Sequence, residues 1–256
     1  MKTSTLLRMY EAGERDFAGV DLTGADLQGV ALIEVNLRGA NLTGANLSRA
    51  FLTRSDLSCT KLNWTDLSFV KMSEGNLSGA DLTKGNLQGA FLVKSALLAA
   101  RMSAANLTGA NLRAANLAGA NLCGANLAQV NLRDANLVGV NFNWANVLEG
   151  SLIGANLQGV NLSRAFLKDA NLQGGDLDSV NLTEARLTGA NLAGANLTGA
   201  NLTAAQLRYA NLQGADLTGA KLTKANLMGA NLARTILDRV DFTDANLDQI
   251  SLNWAY

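Results

Sequence analysis

Large apolar residues recur at every fifth position of the chain, from Phe17 to Leu252. Of these 48 central positions, 42 are Leu, and Asn or Asp precedes 34 of them. The period fits neither regular element, because a helix would spiral these side chains around its axis and a strand would alternate them between two faces. The pattern instead predicts a chain that turns about a quarter circle per pentapeptide, so that every central side chain points inward.

A second period of twenty residues is hidden beneath the first. Thr follows the central residue at seven of the twelve positions spaced by twenty from Thr23 to Thr243, whereas the three other sets hold two, two and one. The pairs Asn63-Trp64 and Asn143-Trp144 are eighty residues apart, a multiple of the same period. Four pentapeptides should therefore close one coil, and about twelve coils spaced by about 4.8 Å would form a rod about 55 to 60 Å long.

The motif Ala-(Asn/Asp)-Leu-x-x, as in Ala40-Asn41-Leu42-Thr43-Gly44, runs through residues 15–254. In this motif the chain resembles the pentapeptide-repeat family. The resemblance implies an all-β fold, a right-handed quadrilateral β-helix, in which the central residue and the residue two positions earlier face inward. It divides the chain into a capping helix at residues 1–14 and a single β-helical domain at residues 15–256.

Residues 1–14 break the repeat and predict a short helix that covers the first coil. Thr3 or Ser4 is the expected N-cap, and Gly13 should end the helix. The side expected to face the core consists of Leu6, Leu7, Met9 and Tyr10. This segment also resembles the N-terminal cap of cyanobacterial pentapeptide-repeat proteins.

The C-terminal end has no obvious cap, although repeat arrays normally need a polar end to stay soluble. Leu247, Ile250 and Leu252 fall in the last coil. Three explanations stay open: Trp254 and Tyr256 fold over the core as a lid, two molecules meet end to end through these five residues, or the natural C-terminus is missing. The chain is accordingly expected to be a monomer or an end-to-end dimer.

The composition argues against catalysis. His, the commonest general base, is absent, and a convex rod lacks a cleft that could exclude water. Cys59 and Cys123 fall on different faces about three coils apart, too far for a disulfide. We expect no enzymatic activity, no small-molecule substrate, no cofactor and no metal. Columns of oxygen-bearing side chains are attributed to hydrogen bonding: Asn156, Asp176, Asn196 and Asp216 are an example.

The pattern of polar residues and charges predicts a cytoplasmic protein. Polar residues interrupt every repeat, so no apolar run approaches the about 20 residues of a membrane span, and charged residues follow Leu7 too closely for a signal peptide. The chain has 21 acidic and 21 basic residues. Some members of the family bind DNA gyrase by imitating the negative charge of DNA, and this charge balance weighs against such a role. DNA mimicry and a purely structural spacer remain the two alternatives. The basic residues between Asp81 and Asp134 divide between two faces, so direct nucleic-acid binding is not expected.

Charged columns predict ion-pair ladders that fix the register of the coils. Their signs alternate from coil to coil in two series: Glu34, Arg54, Glu74, Lys94 and Lys61, Asp81, Arg101.

Exposed aromatic residues are the candidates for recognition, because such residues are enriched at interface hot spots. Trp64 and Trp144 share one column, with Lys84 between them. Phe51 and Phe91 replace Asn or Asp on another face, and Phe69 and Phe166 are assigned to a third. The hypothesis is a non-enzymatic scaffold, with a regulatory role in a cyanobacterium as its more specific form. An unidentified protein partner would dock on Trp64, Lys84, Trp144, Phe51 and Phe91. The competing explanation is that each ring lies flat over neighbouring coils.

Overall fold

The computed structural model describes residues 1–253 as one helix followed by a continuous series of turns. The helix, α1, spans Thr3–Glu11. Within the described range, β-structure consists of isolated parallel bridges, each between a residue and the residue twenty positions later, from Asp16↔Asn36 to Asn231↔Ser251. This uniform register confirms the predicted twenty-residue period.

The core is a column of central side chains. From Leu22 to Leu232 none of these side chains is more than 1% exposed. The residue two positions earlier is also buried from Val35 to Thr235, as predicted for the second inward position. Inward hydroxyl groups are satisfied by backbone carbonyls, as where Thr65 Oγ1 donates to Leu42 O at 2.7 Å. Since each buried Leu contributes about 1.5 to 3 kcal/mol, this column is the main source of stability.

Asn, Asp and Thr stabilise the turns around each central residue. The backbone N–H of Thr43 donates to Asn41 Oδ1 at 3.2 Å, and the Thr43 hydroxyl donates to the same oxygen at 2.7 Å. Asn side chains also pair between coils, as where Asn106 Nδ2 donates to Asn86 Oδ1 at 3.0 Å. Asn and Asp close such turns well. This explains why Asn or Asp precedes most central residues and why Thr recurs in one column.

Helix α1 packs on the first coil. The residues expected on its core side are buried or half-buried: Leu6, Leu7, Met9 and Tyr10. Its N-cap is Lys2, and the prediction of Thr3 or Ser4 is wrong, because the Lys2 carbonyl already accepts hydrogen bonds from the N–H groups of Thr5 and Leu6. Gly13 follows the C-cap with φ +98°, a left-handed conformation that ends the helix.

Candidate functional site

The corners of the coil have a left-handed backbone. The residue two positions after each centre has a positive φ at all 47 such positions up to residue 253; 20 are Gly and 27 are other residues. Val, Ile and Thr are absent from these described corners, which agrees with the particular strain of β-branched residues there. A side chain at such a position costs about 1 to 2 kcal/mol. Four corners nevertheless carry large aromatic rings: Trp64, Phe69, Trp144 and Tyr209.

The two corner Trp residues belong to separate pairs. Trp64 is 61% exposed and Trp144 is 49% exposed. Lys84 Nζ lies 5.8 Å from the centre of the Trp64 ring, and the Arg164 guanidinium lies 5.2 Å from that of Trp144. The structure therefore brings Trp64 and Lys84 together, whereas Trp144 stacks with a cation that the sequence analysis did not select.

Three Phe residues lie along a single corner of the rod. Phe51, Phe69 and Phe91 are 38%, 50% and 46% exposed. They line two adjoining depressions of about 500 and 360 Å³, which share Phe69 and Lys71. Lys71 Nζ lies 4.7 Å from the centre of the Phe51 ring. The Phe69 ring lies over Gly89, where an added Cβ would come within 2.6 Å of it.

We call this surface the Phe69 groove, formed by Arg49, Phe51, Phe69, Lys71 and Phe91. Arg49 and Phe69 stand on the corner itself, and Phe51, Lys71 and Phe91 stand at the start of the next face. The residues that line the two depressions include two cations and no carboxylate. The groove therefore combines exposed aromatic surface with positive charge.

Acidic residues at the far end of the same face are held in ion pairs. Arg54 contacts Glu34 at 3.1 Å and Glu74 at 3.4 Å, as the alternating column predicts. In the second predicted ladder, Arg101 contacts Asp81 at 2.8 Å. These pairs bridge neighbouring coils. Among the described residues no ion pair joins Glu74 to Lys94 or Lys61 to Asp81, so each predicted ladder forms only in part.

The pKa of Asp81 depends more on neighbouring hydrogen-bond donors than on its ion pair with Arg101. Partial burial acts to raise this pKa, but hydrogen bonds from Thr83 and Asn63 and the charge of Arg101 together bring it below the usual 3.8. Asp241, in the same column, also has a lowered pKa because Thr243 and Thr223 hydrogen-bond to it. In both cases the charged form is the one that the fold stabilises.

The sequence pattern indicated Phe69 only as an exposed aromatic residue on a third face, and it did not point to Arg49 or Lys71. The register of the repeat assigns Phe69 to a different face from Phe51 and Phe91, but a corner residue borders the next face as closely as its own. Only inward-pointing Val70 separates Phe69 from Lys71. Comparing positions that differ by two residues around each corner would have revealed the group.

The C-terminal candidates are only partly described. Leu247 and Leu252 are 37% and 47% exposed, and Ile250 is half-buried. Trp254 and Tyr256 lie outside the described residues, so the lid and the end-to-end contact remain predictions.

Three further features bear on other kinds of site. Cys59 and Cys123 are free thiols. Within residues 1–253 no three His, Cys, Asp or Glu side chains are grouped so that they could hold a metal ion. Helix α1 falls short of the length and apolarity of a membrane span, and the described residues contain no other helix.

Known proteins show extensive similarity to this chain. Among solved structures it is similar to HetL, a pentapeptide repeat protein involved in heterocyst differentiation regulation from the cyanobacterium Nostoc sp. strain PCC 7120. The identity is 32% over 100% of this chain and 99% of HetL, with a TM-score of 0.45. Rfr23, a pentapeptide repeat protein from the cyanobacterium Cyanothece 51142, is 31% identical over 52% of this chain and 88% of its own, with a TM-score of 0.23.

More distant similarity extends to QnrB1, a plasmid-mediated fluoroquinolone resistance protein. This match has 15% identity over 88% of this chain and 92% of QnrB1, with a TM-score of 0.47. A comparison with curated proteins finds no match.

A family model provides the most direct assignment. The model "Pentapeptide repeats (8 copies)" matches residues 16–39, 21–58, 36–73, 60–97, 76–113, 105–143, 151–189, 185–223 and 225–255. These matches cover most of the chain. The protein therefore belongs to the pentapeptide-repeat family, whose fold is a right-handed β-helix.

Proposed function

We propose that this protein is a non-enzymatic, cytoplasmic interaction scaffold that binds a protein partner through the Phe69 groove. The observation that carries this proposal is the grouping of Phe51, Phe69 and Phe91, all exposed, around two adjoining depressions. Aromatic anchors of this kind dominate the binding energy of protein interfaces.

The fold itself does not require these three Phe residues. In later coils Asn111 occupies the column of Phe51 and Phe91, and its side-chain oxygen accepts the turn hydrogen bond from Arg113 N at 3.2 Å. Gly109 occupies the corner column of Phe69 at φ +65° without side-chain strain. The three Phe residues therefore replace turn-stabilising or unstrained residues with exposed apolar rings, which favours a role in binding.

The relationship to HetL supports a regulatory version of this proposal. HetL is involved in the regulation of heterocyst differentiation, and it is 32% identical to this chain over its full length. By analogy, this rod would act in a cyanobacterial regulatory process through its partner. The analogy rests on the family relationship, whereas the docking surface rests on the groove.

The Trp column is a second contact on the same proposed scaffold. Trp64 with Lys84 and Trp144 with Arg164 present two exposed cation–π pairs. In our proposal they extend the interface and the Phe69 groove anchors it.

Affinity capture from the cells that produce the protein tests this assignment. Wild type is compared with F51N/F91N, which restores the Asn of the repeat, and with W64A/W144A. The control is I236N, which likewise restores Asn at an exposed apolar position before a centre but on another face, where Ile236 is 42% exposed. Melting curves establish that each variant is folded.

We expect F51N/F91N to reduce capture of the partner at least about tenfold, which corresponds to about 1.4 kcal/mol, and I236N to leave it unchanged. Full capture by F51N/F91N would contradict the proposal. Loss with W64A/W144A alone would place the docking surface on the Trp column instead.

A further inference from the structure

The geometry of the Phe69 groove points to an amphipathic α-helix as its occupant, with an apolar stripe flanked on both sides by acidic residues. This inference rests on the proposed function and specifies the partner's chemistry. The groove supplies three constraints: the hydrogen bonding of its backbone, the spacing of its rings and the placement of its charges.

The backbone at the groove has no open sheet edge. The N–H of Lys71 donates to Ala50 O at 2.9 Å, and the Lys71 carbonyl accepts from Leu52 N at 2.8 Å. One coil further, Phe91 N donates to Val70 O at 2.8 Å. A partner strand could add only where backbone groups are unpaired. The partner must therefore engage the groove through side chains.

The spacing of the rings favours a helix that lies parallel to the rod. Phe51 and Phe91 stand two coils apart in one column, at heights of about 0 and 9.6 Å, and the Phe69 ring, which lies over Gly89, is at the upper of these two levels. Helical residues at i and i+7 differ in height by about 10.5 Å and share one face with the residue at i+3. An extended peptide presents a side chain on one face every about 6.6 Å, and it is out of register after two steps.

The charges of the groove favour a partner helix with acidic residues on both sides of its apolar stripe. Arg49 lies on the corner side and Lys71 on the face side, so a helix between them would meet one cation on each flank. Both cations are exposed, and neither depression is lined by a carboxylate. Glu or Asp on both flanks of the apolar stripe would complement this arrangement, whereas Lys or Arg would be repelled.

Designed peptides test the inference with the full-length protein. Three fluorescein-labelled peptides are used: a helix with Leu at i, i+3 and i+7 flanked by Glu, the same helix flanked by Lys, and a scrambled Glu peptide of identical composition without the stripe. Fluorescence anisotropy measures each dissociation constant. We expect the Glu-flanked helix to bind at least about tenfold more tightly than either other peptide and to weaken as salt screens the charges.

Three variants locate the binding site. R49E/K71E should reverse the preference toward the Lys-flanked helix, and F69G should weaken binding of the Glu-flanked helix at least about tenfold. Y209G is the matched control and should have no effect. Tyr209 has the same corner register and φ 57° as Phe69, and its ring likewise lies over a Gly.

Equal binding of the scrambled or Lys-flanked peptide would overturn the inference, as would no binding of any peptide or an equal loss with Y209G. If the peptides fail to bind but partner capture still depends on Phe51 and Phe91, the proposed function stands without the helix. If capture is also insensitive to those residues, both proposals fail.

Discussion

Phe69 and Tyr209 occupy equivalent corners of the rod, seven coils apart. Both have φ 57°. Each ring lies over the Gly of the following coil, Gly89 or Gly229, where an added Cβ would approach within 2.6 Å. They differ in their surroundings. Phe69 is bordered by other exposed Phe residues and lines two depressions, whereas the column beside Tyr209 contains Asn.

The comparison separates what the repeat determines from what its substitutions add. The backbone and the following Gly place an aromatic ring in the same way at both corners. Only at Phe69 do Phe51 and Phe91 replace Asn beside it, so only there does a corner ring become part of a larger apolar surface. A single exposed ring is a property of the rod, and the cluster is a candidate binding site.

The largest expected effect tests whether the core beneath the two corners is packed in the same way. Leu67 and Leu207 are the buried centres before Phe69 and Tyr209, at 1% and 0% exposure. L67A and L207A should each lower the free energy of unfolding by about 2 to 5 kcal/mol through the cavity that they leave. Chemical denaturation should give similar losses. A much smaller loss for L67A would show that the two regions are packed differently.

A smaller loss of stability tests the contact between each corner ring and the Gly of the following coil. G89A and G229A introduce a strained corner side chain and also displace an aromatic ring, whereas G109A meets no atom within 4 Å. We expect G109A to cost about 1 kcal/mol and the other two about 2 kcal/mol in thermal denaturation. G89A should also weaken binding of the Glu-flanked helix, and G229A should not. Equal stability of all three variants would argue against the ring positions.

Ion pairs between neighbouring coils should have a smaller effect on stability, and this effect should also differ between regions of the rod. Glu74 contacts Arg54 at 3.4 Å, and Glu184 accepts two hydrogen bonds from Arg164, at 3.0 and 3.3 Å. E184K should therefore lower the melting temperature more than E74K, and both effects should shrink in about 1 M salt. Neither substitution should alter peptide binding. An unchanged melting curve for both variants would show that these ladders do not fix the register.

The smallest effect is the pH dependence that comes from Asp81 and Asp241, whose carboxyl groups have lowered pKa values and accept hydrogen bonds from residues of the Thr column. Because the folded-state pKa values of Asp81 and Asp241 lie below the usual 3.8, their contribution is present above about pH 4 and is lost as the pH falls through the folded values. Melting temperatures measured from about pH 6 to 2 should show this decline. D81N and D241N should each flatten it, since Asn keeps the acceptor for Thr. An unaltered decline in both variants would place its origin elsewhere.

The sequence predicted the features that depend on periodicity. The five-residue period identified the inward-facing central residues such as Leu67. The twenty-residue period identified which residues stack, including Glu34, Arg54 and Glu74. These assignments succeeded because each coil repeats the same backbone, so a residue's position in the repeat determines its orientation.

The grouping at the Phe69 groove required side-chain geometry across a corner. Sequence register assigned Phe69 to one face and Phe51 to the next, although only Val70 separates Phe69 from Lys71. The direction in which the Phe69 ring leans depends on the space above Gly89. At the helix start, the Lys2 carbonyl accepts the first helical hydrogen bonds ahead of Thr3 and Ser4, a choice that residue preference does not specify.

Photo-crosslinking tests the central claim most directly. The photoreactive residue p-benzoylphenylalanine replaces Phe69 or Tyr209 in the full-length protein, which is then irradiated in the cells that produce it. The account predicts a discrete protein adduct from position 69 that F51N/F91N abolishes, and no such adduct from position 209. Equal adducts at both positions, or none at position 69, would contradict a partner-binding site at the Phe69 groove.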